Sequence, residues 1–282
     1  MQKSFKDQKA TLYLVSTPIG HLKDITIRAI ETLQTVDAVF AEDTRTSMVL
    51  FQRHDIKKPL FSYHEHNKLA REQHILDMLA DNKHVALISD AGTPGISDPG
   101  YEIAQAVIAA GYHVVAIPGP SAILAALVSA GLIMQPFTFV GFLPKKQQEA
   151  KRIVETYVKR KETLVIFESP MRIPKTLTLL HQVLGNRRMA LARELTKTFE
   201  TIIRTDLVSS LDMTHATKGE YVIVIEGDLT KETFEDESVE ERVNHHIQQG
   251  ATEKDALKLV AKERGMSKSD IYKIYKIDRN NT

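Results

Sequence analysis

The sequence predicts an α/β protein in two halves followed by a helical tail, and three observations carry that prediction. Short, almost uninterrupted apolar runs recur at Leu12-Tyr13-Leu14-Val15, Ala38-Val39-Phe40-Ala41, Val85-Ala86-Leu87-Ile88 and Val114-Val115-Ala116-Ile117, with helical periodicity between them. After Pro118-Gly119-Pro120 the pattern restarts, at Phe137-Thr138-Phe139-Val140, Leu164-Val165-Ile166-Phe167, Met189-Ala190-Leu191-Ala192, Thr201-Ile202-Ile203 and Tyr221-Val222-Ile223-Val224-Ile225. From about Thr230 the strand-like runs stop and the chain turns polar and helical.

Runs that are apolar at nearly every position, rather than at every second one, mark strands buried on both faces and hence a mostly parallel sheet covered by helices. In the second half two strands lie too close in sequence for a crossover helix, which predicts more antiparallel pairing there. In the tail, Ser238 with Glu241, Thr252 with Asp255 and Ser267 with Asp270 each fit a helix start, and Gly250 and Gly265 separate the helices. Three short helices with a glycine turn before the last resemble a helix-turn-helix unit. Lys268, Lys273, Lys276 and Arg279 give its end a basic face suited to nucleic acid, with a helical cap or a dimer contact as the alternative. The predicted divisions are 1–119, 120–229 and 230–282.

A chain of 282 residues, 43 % hydrophobic, is long enough for more than one sizeable core. The absence of cysteine excludes disulfides and thiolate metal sites and fits a reducing compartment. Residues 1–9 carry charge without an apolar stretch, so no secretory signal is expected there. The longest apolar run, Ala122 to Met134, is bracketed by Pro120 and Pro136 and falls short of the ~20 residues of a spanning helix. The expectation is a cytoplasmic protein that does not enter a membrane. A net charge of +1 excludes a uniformly basic coat, yet Lys145-Lys146, Lys151-Arg152 and Lys159-Arg160-Lys161 form a local basic segment. Such a segment suits either the solvated face of a helix or a phosphate backbone.

Between a strand and a helix lies Asp90-Ala91-Gly92-Thr93-Pro94-Gly95-Ile96-Ser97-Asp98-Pro99-Gly100. Glycine permits close backbone approach and proline fixes the course of the chain, so this loop is shaped before anything binds, at the sheet edge where open α/β folds hold ligands. Neither G-x-G-x-x-G nor G-x-x-x-x-G-K-[ST] occurs, which argues against a phosphate cradle. Glu42, Asp43 and Arg45 follow the second strand, and Glu168 and Arg172 follow a strand of the other half. These residues are the candidates for substrate handling and proton transfer, with the general base unassigned. Asp43 equally suits a helix N-cap, and Glu168 an ion pair with Arg172 at spacing four. Arg193 and Lys197 are candidate phosphate contacts beside Glu194 on a polar rim. His64-Glu65-His66 has no evident third ligand, so no metal is expected there. His245-His246 is expected to face solvent.

Seven ordered motifs point to one family. They are Ser16-Thr17-Pro18-Ile19-Gly20-His21, Ala41-Glu42-Asp43-Thr44-Arg45, the Gly/Pro loop, Ile117-Pro118-Gly119-Pro120-Ser121-Ala122, Gly141-Phe142-Leu143-Pro144, Phe167-Glu168-Ser169-Pro170 and Ala192-Arg193-Glu194-Leu195-Thr196-Lys197. Nearly end to end, the chain closely resembles the ribosomal RNA small subunit methyltransferase I family, a branch of the tetrapyrrole-methylase superfamily. The resemblance implies a class III methyltransferase fold of two α/β domains, with S-adenosylmethionine in the cleft between them. It implies methylation of a cytidine ribose 2′-hydroxyl in the decoding region of 16S rRNA, with the small ribosomal subunit as partner, no metal, and a homodimer. Carried over by position, Pro18, Asp90, Ala91, Gly92, Pro94, Gly95, Ser121, Ala122 and Phe142 would line the cofactor pocket. Lys145, Lys146, Arg172, Arg193, Lys197, Lys268 and Lys273 are the expected RNA contacts. Two positions depart from the family: His21 stands where an asparagine is usual, and Met171 where a histidine follows Glu-Ser-Pro. The alternatives are a tetrapyrrole C-methyltransferase and a non-catalytic small-subunit assembly factor.

Overall fold

A computed structural model describes residues 2–4, 6, 9–230 and 237–279, with side chains as far as residue 276. The remaining positions, including several of residues 1–9 and the side chain of Arg279, lie outside the described residues. The chain forms two compact units, Met1–Asp228 and Leu229–Thr282.

The first sheet contains β1 (Thr11–Val15), β2 (Ala38–Ala41), β3 (Leu60–Ser62), β4 (Val85–Ile88) and β5 (His113–Ile117), in the order β3-β2-β4-β1-β5. Every pairing in it is parallel. Because side chains alternate across a strand, Val39 and Ala41 face one layer while Ala38 and Phe40 face the other. Helices α1 (Ile27–Thr35) and α2 (Thr44–Arg53) supply Leu33, Leu50 and Phe51 to the first layer. Helices α3 (Lys68–Ala80) and α4 (Tyr101–Ala109) supply Ile75, Leu79, Ile103 and Val107 to the second. Of these strands, β3 alone is absent from the sequence prediction; it has three residues, all half-buried, at the sheet edge.

Helix α5 (Ala122–Ser129) leads into the second sheet, which contains β6 (Phe137–Phe142), β7 (Thr163–Glu168), β8 (Arg188–Arg193), β9 (Thr201–Asp206) and β10 (Tyr221–Ile225). Its order is β6-β7-β10-β8-β9, and only β6 with β7 is parallel. Helices α6 (Gln147–Glu155) and α7 (Ile173–Leu184) cover one face, and α8 (Leu207–Leu211) adds Leu207 to the same core. The other face packs Val165, Ala190, Ala192, Val222 and Val224 against Ala126 and Leu127 of α5 and against Ile19 from the loop after β1. That shared apolar layer is why residues 11–228, with both sheets, form one compact body.

The tail contains α9 (Val239–Gln248), α10 (Glu253–Glu263) and α11 (Lys268–Arg279) around a core of Val239, Val243, Ala256, Leu257, Val260, Ile271 and Tyr275. Ser238 and Glu241 form a reciprocal capping box, and Thr252 and Ser267 accept hydrogen bonds from the backbone N–H of Asp255 and Asp270. One expectation is corrected here. His246 does not face solvent: its side chain is 12 % exposed and its Nε2 lies 2.9 Å from Oε1 of Glu263, whose Oε2 accepts from Nε of Arg242. His245 is exposed and meets Gln249. Among the described residues no helix is long and apolar enough to cross a membrane.

Just beyond β10, Gly227 passes so close to the carbonyls of Lys161 and Glu162 that an added Cβ would strike the Lys161 oxygen. Gly227→Ala must displace backbone at the start of β7, and it is expected to cost about 1–3 kcal/mol. A lowered denaturant midpoint with unchanged slope is the expected readout.

Candidate active site

Parallel strands deliver their following loops to one edge of the sheet, and here the loops after β1, β2 and β4 meet. Thr17 and Gly92 exchange two backbone hydrogen bonds, Thr17 N to Gly92 O at 2.9 Å and Gly92 N to Thr17 O at 3.1 Å. Ser16 Oγ and Thr93 Oγ1 lie 2.8 Å apart, and Thr17 Oγ1 donates to Ser89 O at 3.1 Å. The third loop is attached through Asp90, whose Oδ1 accepts from the backbone N–H of Asp43 at 3.0 Å. Gly92 has φ +79°, a conformation that L side chains avoid.

Beside this junction lies a cleft of about 480 Å³. The first half lines it with Glu42 and with Asp90, Ala91 and Gly92, and Ser121 and Ala122 at the start of α5 add to the lining just after the junction of the halves. The second half contributes Phe142, Phe167, Glu168 and Tyr221, and Phe167 makes edge contacts with Phe139 and Phe142 at 4.8 and 5.6 Å between centroids. The cleft is also markedly acidic. Its lining holds Glu42, Asp90, Asp98, Glu168 and Glu220, and among the described residues no lysine or arginine. A phosphate group would be repelled there, whereas a ligand carrying positive charge is matched.

The two neighbouring carboxylates of the second motif differ in state. Asp43 caps α2, accepting from Arg45 N at 2.8 Å, and its carboxylate receives the Arg45 guanidinium at 2.7 Å. Those hydrogen bonds from Arg45 lower its pKa to about 2. Neither Asp43 nor Arg45 lines the cleft, and the Arg45 side chain is 90 % exposed. Glu42 does line it; burial first, then the charges of Asp98, Asp90 and Asp43, raises its pKa above the ordinary carboxylate value. Asp98 is raised as well, by burial and by Asp90 against a hydrogen bond from Ser89.

Glu168 forms part of the wall but is only 2 % exposed. Its carboxylate accepts from Thr176 Oγ1 at 2.6 Å and Ser169 N at 2.8 Å and pairs with Arg172 Nε at 3.4 Å. Arg172 also donates from Nη2 to the carbonyls of Leu143 and Pro144 at 2.9 and 3.0 Å, so its guanidinium ties β7 to the loop after β6. Lys197 Nζ pairs with Glu194 and Glu220 at 2.9 and 2.8 Å, and Arg193 Nε donates to Lys218 O. These three cations have partners within the protein. Lys145, Lys146, Lys268 and Lys273 are exposed, Lys146 with an ion pair to Glu149. Pro18, Pro94 and Gly95 do not line the cleft; the two prolines are buried. His21 caps a single 3-10 turn by accepting from Lys23 N, and Met171 is exposed. Sequence reasoning about the site missed Asp98, Phe167 and Tyr221. Asp98 sits within the Gly/Pro loop, Phe167 opens the Phe167-Glu168-Ser169-Pro170 motif without a site role assigned to it from sequence, and Tyr221 lies in a strand read only as core.

Residues 11–209 match the Tetrapyrrole (Corrin/Porphyrin) Methylases family. The chain is 42 % identical, over 98 % of each chain, to Ribosomal RNA small subunit methyltransferase I of Bacillus subtilis (strain 168). It is 42 % identical, over 96 % of each chain, to the protein of the same name from Halalkalibacterium halodurans. Among solved structures, diphthine synthase superposes with TM-score 0.61 at 15 % identity, covering 77 % of this chain and 90 % of that one. The methyltransferase CobJ superposes with TM-score 0.59 at 19 % identity, covering 80 % and 97 %.

Substituting Gly92 tests the loop. An added Cβ would meet Ile19 Cγ2 at an unremarkable 3.5 Å, so the penalty comes from φ rather than from crowding. Gly92→Val is expected to reshape the loop and abolish calorimetric binding of S-adenosylmethionine while the protein stays folded by circular dichroism.

Proposed function

We propose that this chain, which belongs to the tetrapyrrole methylase family and within it to the ribosomal RNA small subunit methyltransferase I group, methylates the ribose 2′-hydroxyl of a cytidine in the decoding region of 16S rRNA. The observation that carries the reading is the near full-length identity to those relatives, joined to a cleft whose charge suits a cationic methyl donor. The halves 1–119 and 120–229 act as its two lobes.

The residues present fit S-adenosylmethionine. The cleft volume lies in the range of about 300–1,000 Å³ usual for small-molecule sites. Its carboxylates complement a sulfonium and an ammonium, and the Gly92 backbone permits close approach. Asp90, Ala91, Gly92, Ser121, Ala122 and Phe142 would hold it. When bound, that donor supplies a methyl group already activated by the positive sulfur.

The protein then has to place a ribose oxygen in line and accept its proton, and correct placement alone can contribute roughly 7–11 kcal/mol. Glu42 is the carboxylate suited to the proton. Asp43 is too weak a base with its pKa held near 2, and the Glu168 carboxylate is occupied by Thr176, Ser169 and Arg172. Glu42 has a raised pKa and lines the cleft. Lys145 and Lys146, exposed beside the cleft residue Phe142, are placed to meet the phosphate backbone, and the tail cations Lys268 and Lys273 add a second basic surface.

Incubation with methyl-labelled S-adenosylmethionine and, in separate reactions, isolated small subunits, free rRNA or a tetrapyrrole tests the reading. Label on a cytidine ribose is expected. Label on a tetrapyrrole, or donor binding without transfer to any RNA, overturns it. Glu42 must be ionised to accept a proton, so kcat/KM should fall on the acid side with a midpoint above 4.5. Glu42→Gln should remove that acid limb and lower kcat roughly 100- to 10,000-fold. Replacing Lys145 and Lys146 by Glu should weaken RNA binding and flatten the salt dependence by about 1.4 in log–log slope. Affinity for S-adenosylmethionine should be unchanged.

A further inference from the structure

A second cavity of about 520 Å³ adjoins the cleft and shares Glu42, Ser97 and Asp98 with it. Its far side is built from His64, Glu65 and His66, in the turn after β3, and from Glu102 at the start of α4. The turn is fixed from within. Asn67 Oδ1 accepts from His64 N at 2.9 Å, and Asn67 Nδ2 donates to Ser62 O and Oγ at 3.2 and 3.0 Å. Lys68 braces it from outside, pairing with Oε1 of Glu65 at 2.8 Å and of Glu102 at 2.9 Å. The two imidazoles stand edge to face, 5.9 Å between centroids. Among the described residues no three His, Asp or Glu side chains are grouped to hold a metal ion.

We propose that this second cavity seats the nucleobase of the nucleotide being methylated and selects a base that presents an amino group. The inference rests on the reading of the adjoining cleft as the site of ribose methylation. A base and its own 2′-oxygen are separated by part of one sugar ring, so a ribose held at the shared wall of Glu42 and Asp98 puts its heterocycle in the neighbouring space. The lining is made for a heterocycle and against a phosphate: four carboxylates, two imidazoles, and no lysine or arginine among its described members. Imidazole rings are stacking surfaces for unpaired bases. Carboxylates only accept hydrogen bonds, and a single ammonium contact leaves each with further acceptor positions. The cytosine 4-amine donates to such an acceptor. Uracil presents a carbonyl oxygen at the same position, which a carboxylate repels. Glu65 and Glu102 read the amine, and His66 stacks.

Two measurements test this. Cytidine titrated into the protein should shift the imidazole proton resonances of His64 and His66, and uridine should not. Small subunits carrying cytidine or uridine at the methylated position should then be compared as substrates. The Glu65→Gln, Glu102→Gln double variant is expected to lose at least about tenfold of the cytidine preference in kcat/KM. His66→Ala is expected to raise KM for the subunit about tenfold or more with little change in kcat, and His66→Phe to restore it. Calorimetric affinity for S-adenosylmethionine stays within twofold in all three, which excludes a folding defect. Histidine resonances unmoved by cytidine, or an unchanged cytidine preference in the double variant, overturn the inference while leaving ribose methylation intact. Cytidine-specific shifts in a protein that methylates no RNA would overturn the proposed reaction and leave the base-binding cavity standing.

Discussion

The two backbone hydrogen bonds between Thr17 and Gly92 are the constraint on which the site depends. They join the loop after β1 to the loop after β4, and Asp90 extends the connection to Asp43 after β2. Three carboxyl-edge loops thus hold one another in place, and the positive φ of Gly92 sets the course of the loop after β4 where it meets Thr17. Ile19, two residues beyond Thr17, packs into the apolar layer of the second sheet. The same short segment therefore fixes the ligand loop and the seam between the sheets. Preorganisation of this kind lowers the ordering cost of binding.

Charge is divided just as strictly. Buried or half-buried carboxylates demand partners, and the nearby cations supply them: Arg172 serves Glu168, and Lys197 serves Glu194 while also meeting the exposed Glu220. Those pairs neutralise both partners, so the acidity of the cleft rests on Glu42, Asp90 and Asp98, which line it without an ion pair to a lysine or arginine among the described residues. Exposed side chains such as Lys145 carry the positive charge that the proposed reading assigns to phosphate. On that reading the proposed donor site and the proposed polyanion-facing surface do not compete for the same cations.

What was legible in the sequence follows from how local each signal is. Strands buried on both faces, such as Val85–Ile88, announce themselves by apolar runs, and caps such as Ser238 with Glu241 by residue type and spacing. β3 has neither length nor full burial, and Pro59 precedes it, so Leu60-Phe61-Ser62 reads as loop; its strand character comes from pairing with β2. The cleft loops were legible because glycine and proline encode backbone shape. The pair of Arg172 with Glu168 was legible from its spacing, but the other partners of Arg172 and those of Lys197 and His246 were not, because the carbonyls of Leu143 and Pro144, the carboxylate of Glu220 and that of Glu263 are distant in sequence or depend on how loops and helices pack. The difference between Glu42 and Asp43 was hidden for the same reason.

That difference is the point at which fold becomes chemistry. Asp43 spends its charge on the first turn of α2 and on Arg45, and so stays ionised. Glu42, one residue earlier and still at the strand end, faces Asp98 and Asp90 across a half-buried space where carboxylates resist ionising together. A positive charge entering that space favours their ionised forms, and by reciprocity their ionised forms favour the positive charge. In the proposed reaction Glu42 becomes a competent proton acceptor most readily when a cation is beside it, so the residues proposed to hold the sulfonium donor would also prepare the proposed base.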